Sequence, residues 1–407
     1  MNKEKNIIFF TGLHLWSLGN NKGGKAFSST IQGYKDAGWN IWYISTGGGV
    51  PKGYFNKNNL YLKSSQTFEN LLKSNVKFVR IISRIFLTKI SLILDNRFMF
   101  KSGQEILKKN KDKKFILYAY EVYGVEAAKK LAEKYQLPLV TRFQGTKESK
   151  TPNTLYFRLK NQPQLSAYKT SADLTIMTDD GTEGLETLKR FKNKSKKIVF
   201  WRNGVAQVSQ EELNKKELYK VELGLGNNYN FLTVSRLVNW KRVERAINAF
   251  NMVQKIHKNI RLYIVGDGTE MNSLIKLTER LGLSDKILFT GSIEQSEVSK
   301  YMIASDAFLS FYDLSNVGNP LLEAMMCKKP IITLDNGDTG KIIKNKINGI
   351  LLSVDEIDKI PEMMTLLIED KEFATKISNG ARKTADDEFW TWKERINSEL
   401  LIVENLL

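Results

Sequence analysis

The sequence predicts an α/β protein of two Rossmann-like domains, and three observations carry that reading. Short apolar runs alternate with amphipathic helical spacings along the chain, the mark of parallel βαβ units. The length, 407 residues, exceeds one ordinary domain and suits two of roughly 200 residues, each large enough for its own core. A polar, charged stretch at 207–228 interrupts the alternation, after which the strand–loop–helix order begins again. The boundary therefore falls near residue 206: 1–205 is one unit, with the terminal segment 383–407 crossing back onto it, and 206–382 is the other. Ligands of such sheets lie at the carboxyl ends of the strands, here facing each other across an interdomain cleft.

In the first half the apolar runs 6–10, 40–45, 114–119, 138–142, 174–177 and 197–200 predict strands. Helical spacing lies between them at 26–37, 122–135 and 182–191. In the second half strands are expected at 230–234, 260–265, 287–290, 307–310, 330–334 and 349–352, and helices at 241–256, 271–281, 296–303 and 321–327. The tail 381–407, with Trp390 and Trp392, predicts one long amphipathic helix. The run at 7–10 is too short for a signal peptide, and no stretch reaches about 18 uninterrupted apolar residues. A cytoplasmic protein is expected, either free or peripheral on the inner face of the membrane.

Composition narrows the function classes. A hydrophobic share of 42% with 26% charged residues is globular, not disordered. The single cysteine, Cys327, excludes a disulfide framework. With only His14 and His257 beside it, hydrolysis at a His/Cys-ligated metal is also excluded. The net charge of +18 favours anionic partners: nucleotides, nucleic acid or an anionic membrane. No nucleic-acid motif accompanies it, so nucleic acid is not expected as a partner.

Three segments of the second half carry candidate chemistry. Ser235-Arg236-Leu237-Val238-Asn239-Trp240-Lys241 follows a strand and opens a helix, so Arg236 and Lys241 can converge on one diphosphate, Arg as a fork and Lys as a point charge. Both can equally be solvated residues at a helix start. Val265-Gly266-Asp267-Gly268 ends a strand where glycine lets backbone approach a ligand, or simply makes a tight turn. Asp313-Leu314-Ser315-Asn316-Val317-Gly318-Asn319-Pro320-Leu321-Leu322-Glu323-Ala324 reads as strand end, polar loop and helix start. The N–H groups of Val317, Gly318 and Asn319 would form an anion site there. Glu323, placed in the first turn, either binds ribose hydroxyls or only complements the helix dipole.

Taken in order, these segments, with Leu281-Gly282-Leu283-Ser284-Asp285-Lys286-Ile287, Phe289-Thr290-Gly291, Pro330-Ile331-Ile332 and Asn348-Gly349, resemble glycosyltransferase family 4 over 229–354. That resemblance implies the GT-B fold, a retaining sugar transfer from a nucleotide-diphosphate donor and no metal or other cofactor. It implies that Arg236 and Lys241 hold the diphosphate, that Glu323 binds the ribose, and that Gly266 and the loop Ser315, Asn316, Val317, Gly318, Asn319 surround the donor. In the first half Asn21-Lys22-Gly23-Gly24-Lys25 resembles the family's glycine-rich loop, which places Gly23 and Gly24 near the donor phosphates or the acceptor. Asn203-Gly204-Val205 resembles its turn near the hinge.

The departures are as specific. The first glutamate of the family's paired motif falls on Ser315, with Asp313 the nearest carboxylate. Asn336-Gly337-Asp338-Thr339-Gly340 matches the family's glycine loop only in part, with Lys341 where a glutamate is usual. The His-Asp pair after a middle strand is replaced by Arg142-Phe143-Gln144-Gly145-Thr146. These changes leave open a catalytically silent partner subunit of an active transferase. Candidate acceptor or sugar contacts are His14, Glu121, Gln144 and Asn203; His14 also fits a structural role and Glu121 a plain surface carboxylate. Asp179-Asp180 is read as a helix N-cap in preference to a metal site.

The acceptor expected is a glycan or lipid-linked one, as in capsule, O-antigen or teichoic polysaccharide assembly, and the donor a UDP- or GDP-sugar. Residues 67–114 are the most basic segment, and Lys73, Lys77, Arg80 and Arg84 recur at spacings of three and four beside Ile, Phe, Val and Leu. Residues 73–94 therefore read either as a helix lying on an anionic membrane or as a helix packed on the first sheet.

Overall fold

The computed structural model describes residues 4–13, 25–47, 54–63, 77–146, 148–149 and 154–407. Of the expected residues, His14, Gly23 and Gly24 lie outside the described ones, as do 73–76; for 77–88 the backbone alone is described. Seven strands form the first sheet: β1 (Asn6–Thr11), β2 (Asn40–Ser45), β3 (Leu60–Leu62), β4 (Phe115–Tyr120), β5 (Leu139–Phe143), β6 (Leu174–Thr178) and β7 (Lys197–Trp201). Six form the second: β8 (Tyr229–Val234), β9 (Ile260–Val265), β10 (Ile287–Gly291), β11 (Ala307–Ser310), β12 (Ile331–Leu334) and β13 (Ile350–Leu352). Their orders are β3-β2-β1-β4-β5-β6-β7 and β10-β9-β8-β11-β12-β13, and the pairings are parallel. Both orders reverse direction after the first strand of the half, which opens a crevice at the carboxyl ends of β1/β4 and β8/β11.

Strands such as Ile7-Ile8-Phe9-Phe10 are buried on both faces, because helices cover each side of a parallel sheet. One core layer of the first domain holds Phe10, Leu117 and Phe143 against the helices Lys77–Lys109 and Val122–Tyr135. The other holds Phe9, Tyr34 and Tyr118, and it is completed by Ile396, Leu400 and Val403 from the end of the chain.

The tail is not one helix. Lys371–Glu388 packs on the second domain through Ala381 and Ala385, and Trp392–Glu404 packs on the first. The chain breaks at Phe389–Thr391, where the Thr391 side chain accepts from the Glu394 N–H and Glu394 reaches back to the Thr391 N–H, a reciprocal capping box. The 383–388 end of the expected crossing helix therefore belongs to the second domain's layer. The segment read as a polar linker also holds two short helices, Gln210–Leu213 and Lys216–Glu222.

Candidate active site

The loops following β8, β9 and β11 are neighbours because their strands are, and hydrogen bonds lock them together. Ser235 N–H donates to the Val265 carbonyl and Leu237 N–H to that of Asp267. Asp313 N–H donates to the Trp240 carbonyl at 2.9 Å. Gly266, at φ +133°, lies so close that a Cβ would sit 1.9 Å from the Ser235 carbonyl oxygen. Its glycine is thus required by the neighbouring loop itself. Lys241 ends a single helical turn, Asn239–Lys241, and its Nζ rests 3.6 Å from the Tyr312 ring centroid and 4.1 Å from that of Trp240. Two aromatic faces hold this ammonium at the crevice. Arg236 is exposed on the same loop.

The loop after β11 is held from inside. Asn316 is fully buried; its Oδ1 accepts from Ser310 Oγ and from the Tyr312 N–H, and its Nδ2 donates to the Leu334 carbonyl. This amide is spent on shaping the loop. Two of the three expected anion-binding amides are also committed: Val317 N–H donates to Ser315 Oγ and Gly318 N–H to the Asn316 carbonyl. Asp313 does not stand in for the missing glutamate, because Arg245 pairs with it at 2.7 Å and Arg242 lies at 3.7 Å.

The helix after this loop spans Asn319–Met326, which puts Glu323 in its second turn and not its first. Dipole complementation is weaker there. Glu323 accepts instead from Gln295 Nε2 at 3.0 Å, and burial pushes its carboxyl up to about 7, opposed by Lys25 of the first domain and by Gln295. Lys25 and Gln295 also line a cavity of about 900 Å³ between the domains. Lys25 ends the Asn21–Lys25 glycine segment and Gln295 stands in no motif, but that both face Glu323 is revealed only by the folded chain.

Across the crevice, the loops after β4, β5 and β6 meet the second domain. Glu121 follows β4 directly and adopts φ 66°, ψ 168°, a region that nearly always belongs to glycine and costs of order 1–3 kcal/mol otherwise. Its Oε1 accepts from the Gln144 N–H at 2.7 Å, and burial pushes its carboxyl up to about 7. The Gln144 side chain lies 2.7 Å from the Tyr120 hydroxyl and 3.2 Å from Asn203, which in turn donates to Asn319 Oδ1 at 3.2 Å. Four of the expected residues thus form one chain of contacts between the domains.

Asp180 does not cap a helix. Its Oδ1 accepts from the Thr182 N–H and hydroxyl, a side-chain turn, and the helix Gly184–Arg190 starts from Glu183 without a side-chain cap. Burial pushes its carboxyl up to about 6. The Asp180 carbonyl accepts from Ser315 Oγ at 2.9 Å and the Gly181 carbonyl from the Asp338 N–H at 2.9 Å. Ser315 therefore joins the two domains, and no side chain fits at Gly181, where a Cβ would lie 2.1 Å from Ser315 Oγ.

The raised Glu121 carboxyl has a measurable consequence. A group whose folded-state pKa exceeds its ordinary value contributes stability that is present in full below about 4.5 and lost as pH rises through about 7. Glu121→Gln, which removes that ionisation, will melt above the wild type near pH 8, with the gap closing toward pH 5. An equal gap at both pH values, read by thermal unfolding, would contradict this assignment.

The fold formed by the two sheets and the returning terminal helix is GT-B. Residues 215–384 match the family model of the group 1 glycosyl transferases. Over 172 residues the chain is 28% identical to N-acetyl-alpha-D-glucosaminyl L-malate synthase of Bacillus anthracis, covering 42% of this chain and 44% of that protein. Over 150 residues it is 28% identical to alpha-monoglucosyldiacylglycerol synthase of Streptococcus pneumoniae, covering 36% and 34%. The matches thus span less than half the length of these curated relatives. The solved structure of Anabaena Alr3699/HepE in complex with UDP and glucose superposes with a TM-score of 0.71 at 17% identity, covering 99% of this chain and all of that one.

Proposed function

We propose that the chain is a retaining glycosyltransferase that moves a sugar from a UDP- or GDP-linked donor to an acceptor hydroxyl. The observation that carries this reading is the convergence of the Arg236–Lys241 loop, the loop after β11 and Glu323 at adjacent strand ends, opposite Glu121, Gln144 and Asn203. As the sugar–phosphate bond breaks, negative charge builds on the diphosphate and the sugar acquires oxocarbenium character. Lys241, held between Trp240 and Tyr312, and Arg236 on the same loop supply the cations that stabilise that charge. The acceptor hydroxyl attacks from the face the diphosphate leaves, and the departing phosphate oxygen takes its proton. This route needs no protein nucleophile and no metal. Glu323 receives the ribose hydroxyls, while Glu121, Gln144 and Asn203 orient the acceptor or the transferred sugar.

The acceptor in this reading is a lipid-linked or cell-surface glycan, met at the inner face of the membrane with residues 73–94 toward the anionic surface. The names of relatives support a glycolipid or polysaccharide setting, since one of them makes a glucosylated diacylglycerol. Turnover of a nucleotide-sugar panel by the purified chain, with and without membrane lipid extract, tests the proposal. Release of nucleoside diphosphate from one donor, faster with lipid, is the expected result. Silence across the panel while UDP or GDP still raises the melting temperature would replace it with a non-catalytic partner subunit.

A further inference from the structure

The Asp179-Asp180 pair has no part in the sugar-transfer reading, and its two carboxylates have different surroundings. Asp179 lies 3.3 Å from Arg202 Nε and is spent on that ion pair. Asp180 is partly buried; its Oδ1 takes both bonds from Thr182, whereas its Oδ2 has no hydrogen-bond or ion-pair partner among the described residues. The turn that carries it is fastened to the loop after β5, since the Thr146 N–H donates to Thr182 Oγ1 at 2.8 Å. Oδ2 consequently rests on Gly145, where φ is +142° and a Cβ would sit 2.0 Å from it. A carboxylate oxygen is thus held in place against bare backbone without a donor, which costs free energy unless a ligand supplies one.

Asp180 also stands in a ring of contacts that joins the domains. Its carbonyl accepts from Ser315 Oγ at 2.9 Å, and the loop then runs on to Asn319, whose Oδ1 accepts from Asn203 at 3.2 Å. Asn203 lies 3.2 Å from the Gln144 side chain, and Gln144 precedes the Gly145 on which Oδ2 rests. The Gln144 and Asn203 amides therefore share this ring with the free oxygen. Its second-domain arc, 315–319, adjoins the loop of Arg236 and Lys241, because β11 pairs with β8 and the Asp313 N–H donates to the Trp240 carbonyl. Glu121 reaches the same ring from the β4 side, its Oε1 accepting from the Gln144 N–H.

From this arrangement we infer that Asp180 is a specificity-determining residue that reads the donor sugar: its Oδ2 accepts from hydroxyls of a neutral hexose and repels a sugar that carries a carboxylate. The inference rests on the sugar-transfer reading and deepens it by naming the class of sugar. A sugar on a diphosphate held by Arg236 and Lys241 has this ring as its wall on the first-domain side. Its hydroxyl gives Oδ2 the donor that the protein withholds. A uronate carboxylate would instead stand against Asp180 and Glu121 without a counter-charge.

Asp180→Asn tests this, because the amide keeps Oδ1 for Thr182 and replaces Oδ2 alone; the variant should melt with the wild type. Both proteins are titrated calorimetrically near pH 8, where Asp180 is ionised, with UDP, GDP, UDP-glucose, UDP-galactose, UDP-N-acetylglucosamine, UDP-glucuronic acid and GDP-mannose. Affinity for the bare nucleotides should be the same in both. The variant's affinity for the neutral hexose donor preferred by the wild type should fall about tenfold or more, and its discrimination against UDP-glucuronic acid should shrink by about the same factor. An equal loss for UDP or GDP alone would overturn the inference and leave Asp180 a part of the crevice's framework. The same profile across the panel in both proteins would overturn it as well, since Oδ2 would then meet no sugar. Nucleoside diphosphate release by the wild type reports on transfer separately: silence there, with an altered binding profile in Asp180→Asn, would leave the sugar contact standing and remove the transferase.

Discussion

Arg236→Ala will lower the rate of nucleoside diphosphate release by about 10²–10³-fold and leave the melting temperature where it is. The first half of that expectation follows from where the charge develops. Removing one preorganised donor from a charge that exists chiefly in the transition state costs about that factor in kcat. The ground-state donor is already anionic, so part of the loss will appear in KM, but the larger part belongs to kcat. The second half follows from exposure: Arg236 is solvent-accessible, while Leu237 beside it anchors the loop in the core. Arg236→Lys retains the charge but not the planar fork and should fall between wild type and alanine. Lys241→Ala should be comparably damaging, because the ammonium lost is the one fixed between Trp240 and Tyr312. Full turnover in Arg236→Ala would remove the diphosphate role from this loop altogether.

How much of this was legible beforehand depends on the range of the interaction. Runs such as Asn40-Ile41-Trp42-Tyr43-Ile44-Ser45 specify β2 with the bounds expected, since a buried parallel strand is a continuous apolar run bounded by polar residues. The edge strand β3 is only Leu60-Tyr61-Leu62, a run too short to specify a strand, so only its pairing with β2 defines it. The break in the tail was written locally as Thr391-Trp392-Lys393-Glu394, a capping signature, but the apolar spacing continues through it and hides it. At the site, Arg236, Lys241 and Glu323 stand in ordered motifs and could be named. Their surroundings could not: that Asp313 is held by Arg245, that Asn316 faces inward, and that Asp180 meets Ser315 are all contacts between segments distant in sequence.

The same distance conceals the strongest tie between the terminal helix and the acceptor side. Arg142, Arg395 and Glu399 are fully buried, with Arg142 Nη1 3.1 Å and Arg395 Nη1 3.0 Å from Glu399 Oε2. Tyr118 and Tyr34 donate to the other carboxylate oxygen at 2.7 and 3.2 Å, Thr30 accepts from Arg142, and the Arg395 guanidinium stacks 4.8 Å from the Trp201 ring centroid. One carboxylate thus neutralises one of two buried guanidinium charges; the tyrosine hydroxyls stabilise that carboxylate, while the Thr30 hydroxyl and the Trp201 ring face meet the guanidinium groups. Glu399→Gln leaves both cations buried without a counter-charge and should cost about 3–5 kcal/mol of unfolding free energy, measured by denaturant titration.

A double substitution, Arg142→Met with Glu399→Leu, should cost less than the sum of its parts, because the desolvation of both charges disappears with them. The pH dependence gives an independent check. Burial alone would push the Glu399 carboxyl up, but Arg142 and Arg395 outweigh it and hold it below the usual carboxylate range. The stability it contributes is therefore present in full above that range and is lost as pH falls through the depressed value. Glu399→Gln should remove part of the acid sensitivity of the wild type and leave the neutral-to-alkaline profile parallel. Arg142 is the fourth residue of β5, and Gln144 and Gly145 follow the strand into the crevice, so loosening this cluster loosens the acceptor wall. The variant should accordingly lose transfer more steeply than nucleoside diphosphate binding, since Arg236, Lys241 and Glu323 stand on the other domain.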